Sequence, residues 1–316
     1  MKNIKQRFAV FVSATIILLN SATAQTPVLV RNETDLTHQT SMPGAVKSKT
    51  IVFITGAFVS NTCWDEWRTY FESKGYTTLA PPWPGKEADA ATLRARHPDA
   101  ALAAVTLNDV LESYTKIIES LPEKPILIGH SFGGAISQVL LNRDLAVACV
   151  GIHAAPPKGV FPYEFKFLRS GFSSLGLFTS LDKTYMMPFK KFQFAFVNGM
   201  PLEEQQKAYE ALAIPESKRA ARGGLSKAAY VDFKKEHAPL LLLAGTEDQI
   251  ITDHLCKRVY KKYKTPNSIT DYVVKDRNHF VLGLPTWKED ADYILQWINT
   301  LPAQGSDSLS NSKSSF

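Results

Sequence analysis

Short apolar runs recur along this chain, and longer segments with apolar residues at helical spacing separate them. Uniformly apolar runs of this length predict strands that are buried on both faces, and the segments between them predict crossover helices. The pattern therefore predicts an α/β fold, with a mostly parallel, doubly wound sheet covered by helices on both sides. The predicted strands are 50–54, 76–80, 126–128, 146–155, 239–244 and 269–274, with a possible edge strand at 28–30.

The helices and the domain organisation follow from the same pattern. Helical spacing predicts helices over 64–73, from Asp99 as N-cap to Ser120, directly after residue 131, over 252–263 and over 286–299. Residues 156–236 interrupt the alternation and are rich in large apolar side chains, which predicts a cap. The core is then split into 25–155 and 237–302, and the serine-rich residues 303–316 are predicted to be disordered.

The first 24 residues have the composition of a targeting segment. Lys2, Lys5 and Arg7 precede an apolar run over 8–19, and small residues stand at 22 and 24. This pattern predicts a signal peptide cleaved after Ala24, and hence a periplasmic or secreted protein with no stable membrane anchor. An N-terminal anchor helix is the alternative interpretation.

Charge and cysteine content limit the possible partners. The 316-residue chain has a net charge of +6, which falls to +3 without the signal peptide. This bias is mild, and no basic-aromatic alternation accompanies it, so no nucleic-acid partner is predicted. Of the three cysteines, Cys149 lies in an apolar run and is predicted to be a core residue. Cys63 and Cys256 either pair or stay free, and none of the three has metal-ligand spacing.

A glycine-rich turn stands between a predicted strand and a predicted helix in residues 125–138. Its sequence, GHSFG, matches G-x-S-x-G, and a strand–turn–helix context is what a nucleophile elbow requires. Ser131 is the candidate nucleophile, and Gly129 and Gly133 avoid clashes with the neighbouring strand and helix. The Phe132 amide at the helix start is a candidate oxyanion donor. The alternative is an ordinary glycine-rich turn.

A serine nucleophile needs a base, and the base needs a carboxylate. Among the seven histidines, His279 follows the last predicted strand in a loop, where it can reach the serine. Asp248 ends the strand of PLLLLAGTED and is the predicted acid, with Glu247 and Asp253 as rivals. His153 is predicted to be a core or pocket-wall residue. The resulting chain order is Ser, Asp, His, as in α/β-hydrolases.

A second oxyanion donor is expected from the loop after the first strand. The backbone amide of Ala57 is the first choice and that of Phe58 the second. Backbone donors leave no side-chain signature, so position in the chain is the basis for this assignment. His130 lies inside the elbow and cannot fold back onto Ser131 with the geometry of a base.

Four stretches, ITGAFVSNTCWDEW, IGHSFGG, LLLAGTEDQI and NHFVLGLPTWKEDADYILQWI, resemble α/β-hydrolase-fold serine hydrolases. The resemblance covers about 50 to 300, apart from the middle segment, and is to the branch of small carboxylesterases, methyl esterases and hydroxynitrile lyases. It implies a helical cap after the sixth strand, a triad of Ser131, Asp248 and His279, and oxyanion amides at Ala57 and Phe132. Thr55 and Asn278 depart from the family, which usually has His and often Gly there.

These inferences predict an exported serine hydrolase that uses no cofactor and no metal. Its substrate would be a small carboxylic ester with an apolar acyl or alcohol part, cleaved through an acyl-enzyme. A lactonase or a lyase using the same triad is the enzymatic alternative. A non-catalytic ligand-binding member of the fold is the alternative outside enzymes.

Overall fold

A computed structural model describes residues 48–175 and 179–302 of the chain. The predicted signal peptide, the possible edge strand at 28–30 and the predicted C-terminal tail lie outside the described residues. In the described part of the chain, no helix is long and apolar enough to cross a membrane.

The core is a six-stranded sheet in which every neighbouring pair is parallel. Its spatial order is β2-β1-β3-β4-β5-β6. This confirms the predicted mostly parallel, doubly wound sheet. The strands are β1 (Thr50–Ile54), β2 (Thr77–Leu79), β3 (Ile126–His130), β4 (Ala148–Ile152), β5 (Leu240–Gly245) and β6 (Thr270–Lys275).

Helices cover both faces of this sheet, so every residue of β1, β3, β4 and β5 is buried. They are α1 (Asp65–Ser73), α2 (Ala90–Ala95), α3 (Ala100–Ala104), α4 (Leu107–Glu119), α5 (Phe132–Asn142), α6 (Phe165–Leu175), α7 (Phe189–Ala195), α8 (Leu202–Leu212), α9 (Lys218–Gly223), α10 (Asp253–Tyr260) and α11 (Trp287–Thr300).

The long helix predicted from Asp99 to Ser120 is wrong, because the structure divides it into α3 and α4. Asp99 caps α3 as predicted, and its side chain accepts a hydrogen bond from the Leu102 amide at 3.0 Å. A second start follows at Thr106, whose hydroxyl accepts from the Asp109 amide while the Asp109 carboxylate accepts from the Thr106 amide. This reciprocal capping box begins α4 and turns the chain between the two helices.

The helices α6 to α9 lie between β4 and β5 and form the cap. In the described residues the cap therefore follows the fourth strand rather than the sixth, because the described sheet begins with β1 at Thr50. One cap helix, α9, packs against α4 of the core. Large apolar cap residues such as Phe192 and Phe196 are buried in the main core, as expected for a segment that packs onto the sheet.

The three cysteines are all free thiols in the structure. Cys149 is buried in β4, as predicted for a core residue. Cys63 is half-buried and Cys256 is buried, and burial raises the pKa of each of the three thiols. None of them is poised to react as a thiolate at neutral pH.

Candidate active site

The turn between β3 and α5 has the strained geometry of a nucleophile elbow. Ser131 has φ 57° and ψ −123°, a conformation that L-residues rarely adopt. A Cβ atom at Gly129 would lie 2.2 Å from Ser137 Oγ, and one at Gly133 would lie 2.1 Å from the Ile54 carbonyl oxygen. Both positions therefore require glycine, and the turn presents the Ser131 side chain at the carboxyl edge of the sheet.

The structure brings Ser131, His279 and Asp248 into one hydrogen-bonded line. His279 Nε2 lies 2.9 Å from Ser131 Oγ, and His279 Nδ1 lies 2.6 Å from Asp248 Oδ2. The carboxylate must accept from Nδ1–H, so Nε2 is left to accept the serine proton. All three residues are buried. Of the rival acids, Glu247 is exposed and Asp253 begins α10.

Asp248 is ionised because its hydrogen bonds outweigh its burial. Burial alone would raise the pKa of this carboxyl, but electrostatic attraction to His279 and the hydrogen bonds from His153 and His279 hold the pKa well below its usual value. Oδ1 also accepts from the amides of Ile250 and Ile251, each at 2.7 Å. The carboxylate is therefore fixed in place and charged across the physiological pH range.

Two histidines contact Asp248, and the contact of His153 was not predicted from the sequence. His153 Nδ1 lies 2.8 Å from the same Asp248 Oδ2 that His279 contacts. His153 follows β4 in a left-handed conformation, φ 46°, and packs against β5, where a Cβ at Gly245 would lie 2.4 Å from its Cε1. The one available signal was its position at the carboxyl end of a strand, the same edge that carries Ser131.

His130 contacts the backbone of His279. Its Nε2 lies 3.0 Å from the His279 carbonyl oxygen and must donate to it. Its other nitrogen, Nδ1, is buried and has no hydrogen-bond partner among the described residues. Burial lowers the pKa of His130 well below its usual value, and the neighbouring histidines act in the same direction. His130 is therefore neutral and holds the loop that carries His279.

A metal site was considered for one group of the described residues. The donor atoms of His153, Asp248 and His279 lie within 4.8 Å of one another. Both Nδ1 atoms, however, already point at one carboxylate oxygen at hydrogen-bonding distance. A bound metal would need about 2.0–2.2 Å to each of its ligands, and bound ligands cannot also sit this close to one another. The donor set fits hydrogen bonding to Asp248 rather than metal binding.

The loop of residues 55–60, called here the oxyanion loop after its predicted donor Ala57, passes directly beside Ser131. A Cβ atom at Gly56 would lie 2.9 Å from Ser131 Cβ. The amide of Phe58, the second choice of the sequence analysis, donates to Glu216 Oε2 at 3.0 Å and is thus engaged. Ala57, Phe58 and Phe132 all line the same cavity as Ser131, and the choice of Ala57 and Phe132 as oxyanion donors stays a prediction.

The two departures from the family occupy structural positions near this site. The Thr55 carbonyl oxygen accepts from Trp83 Nε1 at 3.1 Å, so a tryptophan fixes the start of the oxyanion loop. Asn278 accepts from the Phe280 amide at 2.9 Å and donates to the Asn198 carbonyl oxygen at 2.8 Å. The side chain before His279 therefore joins the base-bearing loop to the cap.

A cavity of about 410 Å³ opens above Ser131. Lys158 is the one charged residue among the described residues that line it, and most of the others are apolar. The cap supplies much of this wall, including Phe167, Met187 and Phe196. Ser131, hydrogen-bonded to His279, therefore lies at the floor of an apolar chamber.

The chain belongs to the alpha/beta hydrolase family, whose model matches residues 51–291. This match spans both parts of the core together with the cap. It agrees with the strand order, the elbow and the order of the three candidate residues along the chain. No curated protein sequence matches the chain.

Solved structures with the same fold include several hydrolases. An extracellular alpha/beta-hydrolase from a Paenibacillus species is 23% identical, with a TM-score of 0.59, covering 78% of this chain and 98% of its own. A methylesterase from Arabidopsis is 18% identical, with a TM-score of 0.57, covering 80% and 99%. A monoacylglycerol lipase from Paleococcus ferrophilus is 19% identical, with a TM-score of 0.58, covering 81% and 96%. At these identities the likeness establishes the fold.

Proposed function

We propose that this chain is an exported serine hydrolase that cleaves carboxylic esters with an apolar acyl or alcohol part. The observation that carries the proposal is the buried line from Ser131 through His279 to Asp248, at the floor of an apolar cavity. Only a nucleophile that must lose its proton needs a base and an acid aligned in this way.

Ser131 Oγ attacks the ester carbonyl carbon while His279 Nε2 takes its proton. Asp248 holds the imidazole in the required tautomer and stabilises the imidazolium. The amides of Ala57 and Phe132 donate to the oxyanion of the tetrahedral intermediate. His279 then protonates the leaving alcohol, which yields an acyl-enzyme, and afterwards activates the water that releases the acid.

The cavity supports an apolar substrate. A volume of about 410 Å³ accommodates a medium-length acyl chain or an aromatic ring, and the apolar lining favours both. We include in the proposal that residues 156–236 act as the cap between core segments 25–155 and 237–302. Relatives of the same fold are described as a methylesterase and a monoacylglycerol lipase, which is consistent with ester chemistry.

Export rests on the first 24 residues and their signal-peptide pattern. A relative of the same fold is described as extracellular. The mature protein recovered from the producing cell should begin at Gln25, which N-terminal sequencing measures. A protein that retains Met1 to Ala24 and stays with the membrane would instead support the anchor interpretation.

A p-nitrophenyl ester series from acetyl to dodecanoyl tests the activity on the wild type and on Ser131→Ala. We expect turnover with an optimum beyond acetyl, and a loss of about 10⁴-fold or more in the variant. Ser137→Ala, which changes a buried serine in the next turn of α5, is the control for folding. A folded wild type without turnover would favour a lactonase, a lyase or a binding protein. Turnover that survives in Ser131→Ala would identify another nucleophile.

A further inference from the structure

A buried ion pair lies behind the oxyanion loop. Lys86 Nζ is 2.5 Å from Glu216 Oε2, and their side chains are 4% and 1% exposed. Lys86 lies between β2 and α2, whereas Glu216 lies in the cap between α8 and α9. Two charges buried this deeply are unfavourable unless further hydrogen bonds satisfy them. The other contacts of the two side chains therefore show what stabilises the pair in this position.

Both carboxylate oxygens of Glu216 accept hydrogen bonds from backbone amides. Oε2 accepts from the Phe58 amide at 3.0 Å, and Oε1 accepts from the Ser217 amide at 2.9 Å. Phe58 is held with φ 69°, a left-handed conformation that is unfavourable for a bulky residue. Its carbonyl oxygen accepts from the Ile214 amide at 2.9 Å. The cap thus holds Phe58, the residue after Ala57, through both its N–H and its carbonyl oxygen.

Lys86 reaches the same loop by a second route. Its ammonium lies 3.9 Å from the centre of the Trp83 ring, in a cation–π contact. Trp83 Nε1 donates to the Thr55 carbonyl oxygen, and the Trp83 ring lies 5.8 Å from that of Phe132. Glu216 therefore contacts the oxyanion loop after Ala57, at Phe58, and Trp83 contacts it before Ala57, at Thr55. Trp83 also contacts Phe132, which carries the other proposed oxyanion donor.

We infer that Glu216, with Lys86 as its counter-ion, is a positioning residue that fixes the oxyanion loop from the cap. The inference rests on the proposed ester hydrolysis. The Glu216 carboxylate holds the Phe58 amide away from Ser131, and so leaves the preceding Ala57 amide to face the developing oxyanion. The essential feature is a hydrogen-bond acceptor for Phe58 N–H, while Lys86 makes a buried carboxylate tolerable at that place.

Two double variants separate the acceptor from the charge. Lys86→Met with Glu216→Gln keeps an acceptor of similar size for the Phe58 amide, whereas Lys86→Met with Glu216→Met has none. Neither variant leaves an unpaired buried charge, so both are expected to fold. Ser217→Ala is the matched control, because Ser217 anchors the same cap segment through the Val105 carbonyl oxygen, at 2.6 Å, without touching the oxyanion loop.

The measurements are kcat and KM for p-nitrophenyl butyrate, and the inhibition constant of an alkyl trifluoromethyl ketone, which forms a tetrahedral adduct. We expect the Glu216→Met double variant to lose about 10- to 100-fold in kcat with little change in KM, and to bind the ketone weaker by a similar factor. The Glu216→Gln double variant and Ser217→Ala should stay within about threefold of the wild type.

Thermal melting of each protein accompanies the kinetics. If the Met and Gln double variants have equal kcat and equal ketone affinity, Glu216 does not position the oxyanion loop. If Ser217→Ala lowers kcat as much as the Met variant does, the effect is general loosening of the cap, and the inference is overturned. A wild type that cleaves no ester would overturn the proposed function itself, which is a distinct result.

Discussion

The carboxyl edge of the sheet and the cavity above it differ in the interactions that define them. At the edge, polar groups meet at fixed distances, and Asp248 alone accepts four hydrogen bonds. In the cavity, the lining is mostly apolar and its outer rim is open, with Phe161 74% and Leu225 54% exposed. Directional bonds define the first region, and shape and apolar area define the second.

The two regions should therefore respond differently to substitution. A directional network loses function when one donor or acceptor is changed, because the remaining groups lose their orientation. An apolar wall tolerates replacement by another apolar group and changes mainly in size. Changes at the sheet edge should therefore lower kcat for all esters, and changes in the cavity should alter which ester is preferred.

Asp248→Asn should give the largest effect. The neutral Asn side chain cannot replace a carboxylate that accepts from both histidines and stabilises the imidazolium. His279 is then no longer held in the tautomer with the proton on Nδ1, and its positive form has no counter-charge. We expect kcat to fall by about 10⁴-fold while the fold is retained. Steady-state kinetics with a p-nitrophenyl ester measures this.

The rival acids supply the controls for that variant. Glu247→Gln removes the carboxylate next to Asp248 in the chain, and Asp253→Asn removes the one at the start of α10. Each should keep kcat within about twofold. If either lost as much activity as Asp248→Asn, the acid would be assigned wrongly.

Substitutions at His153 test whether its hydrogen bond to Asp248 contributes to kcat. His153→Phe keeps a ring but removes the donor to Asp248, and a hydrogen bond to a charged group is worth about 1.5–3 kcal/mol. We expect kcat to fall by about 10- to 100-fold. His153→Asn places an amide N–H near the position of Nδ1 and tolerates positive φ, so it should recover most of the activity. Equal activity of the two variants would show that the His153 donor is unimportant.

A larger side chain at Ala221 tests the cavity. Ala221 lines the chamber, so Ala221→Phe should fill part of it and lower kcat/KM for a p-nitrophenyl octanoate by about tenfold, with little change for the acetate. Ala211→Phe makes the same change on the exposed side of α8 and should leave both substrates unaffected. A uniform loss with both esters would contradict the separation of the two regions.

Acidification should give the smallest effect, and it acts on stability. The folded-state pKa of His130 lies below the unfolded value of about 6.5, so the unfolded chain takes up the proton first and stability falls as pH drops below that value. The depressed pKa of Asp248 acts with the same sign below its ordinary value of 3.8. The slope from one such group is at most about 1.4 kcal/mol per pH unit.

His130→Gln should therefore flatten the fall in Tm between pH 7 and pH 5 relative to the wild type. Part of the fall should remain, because burial also lowers the pKa of His237. An unchanged slope in the variant would mean that His130 does not carry the acid sensitivity.

Local patterns were sufficient for much of this molecule. The apolar runs predicted each described strand within a few residues, and GHSFG predicted the elbow, because both depend on neighbouring residues. The break between α3 and α4 was missed although the Thr106 and Asp109 capping box was readable. The role of Glu216 was beyond prediction, since its partner Phe58 lies 158 residues away in the chain and meets it only after the cap packs. The pairing of His153 with Asp248 is of the same kind.

Covalent labelling can identify the nucleophile of the proposed reaction. The mature protein is treated with diethyl p-nitrophenyl phosphate, digested, and mapped by mass spectrometry, with His279→Ala treated in parallel. We expect one diethylphosphoryl group on Ser131, complete loss of esterase activity, and much slower labelling of the His279 variant. A label on another residue, or an intact Ser131 in an inactivated enzyme, would contradict it.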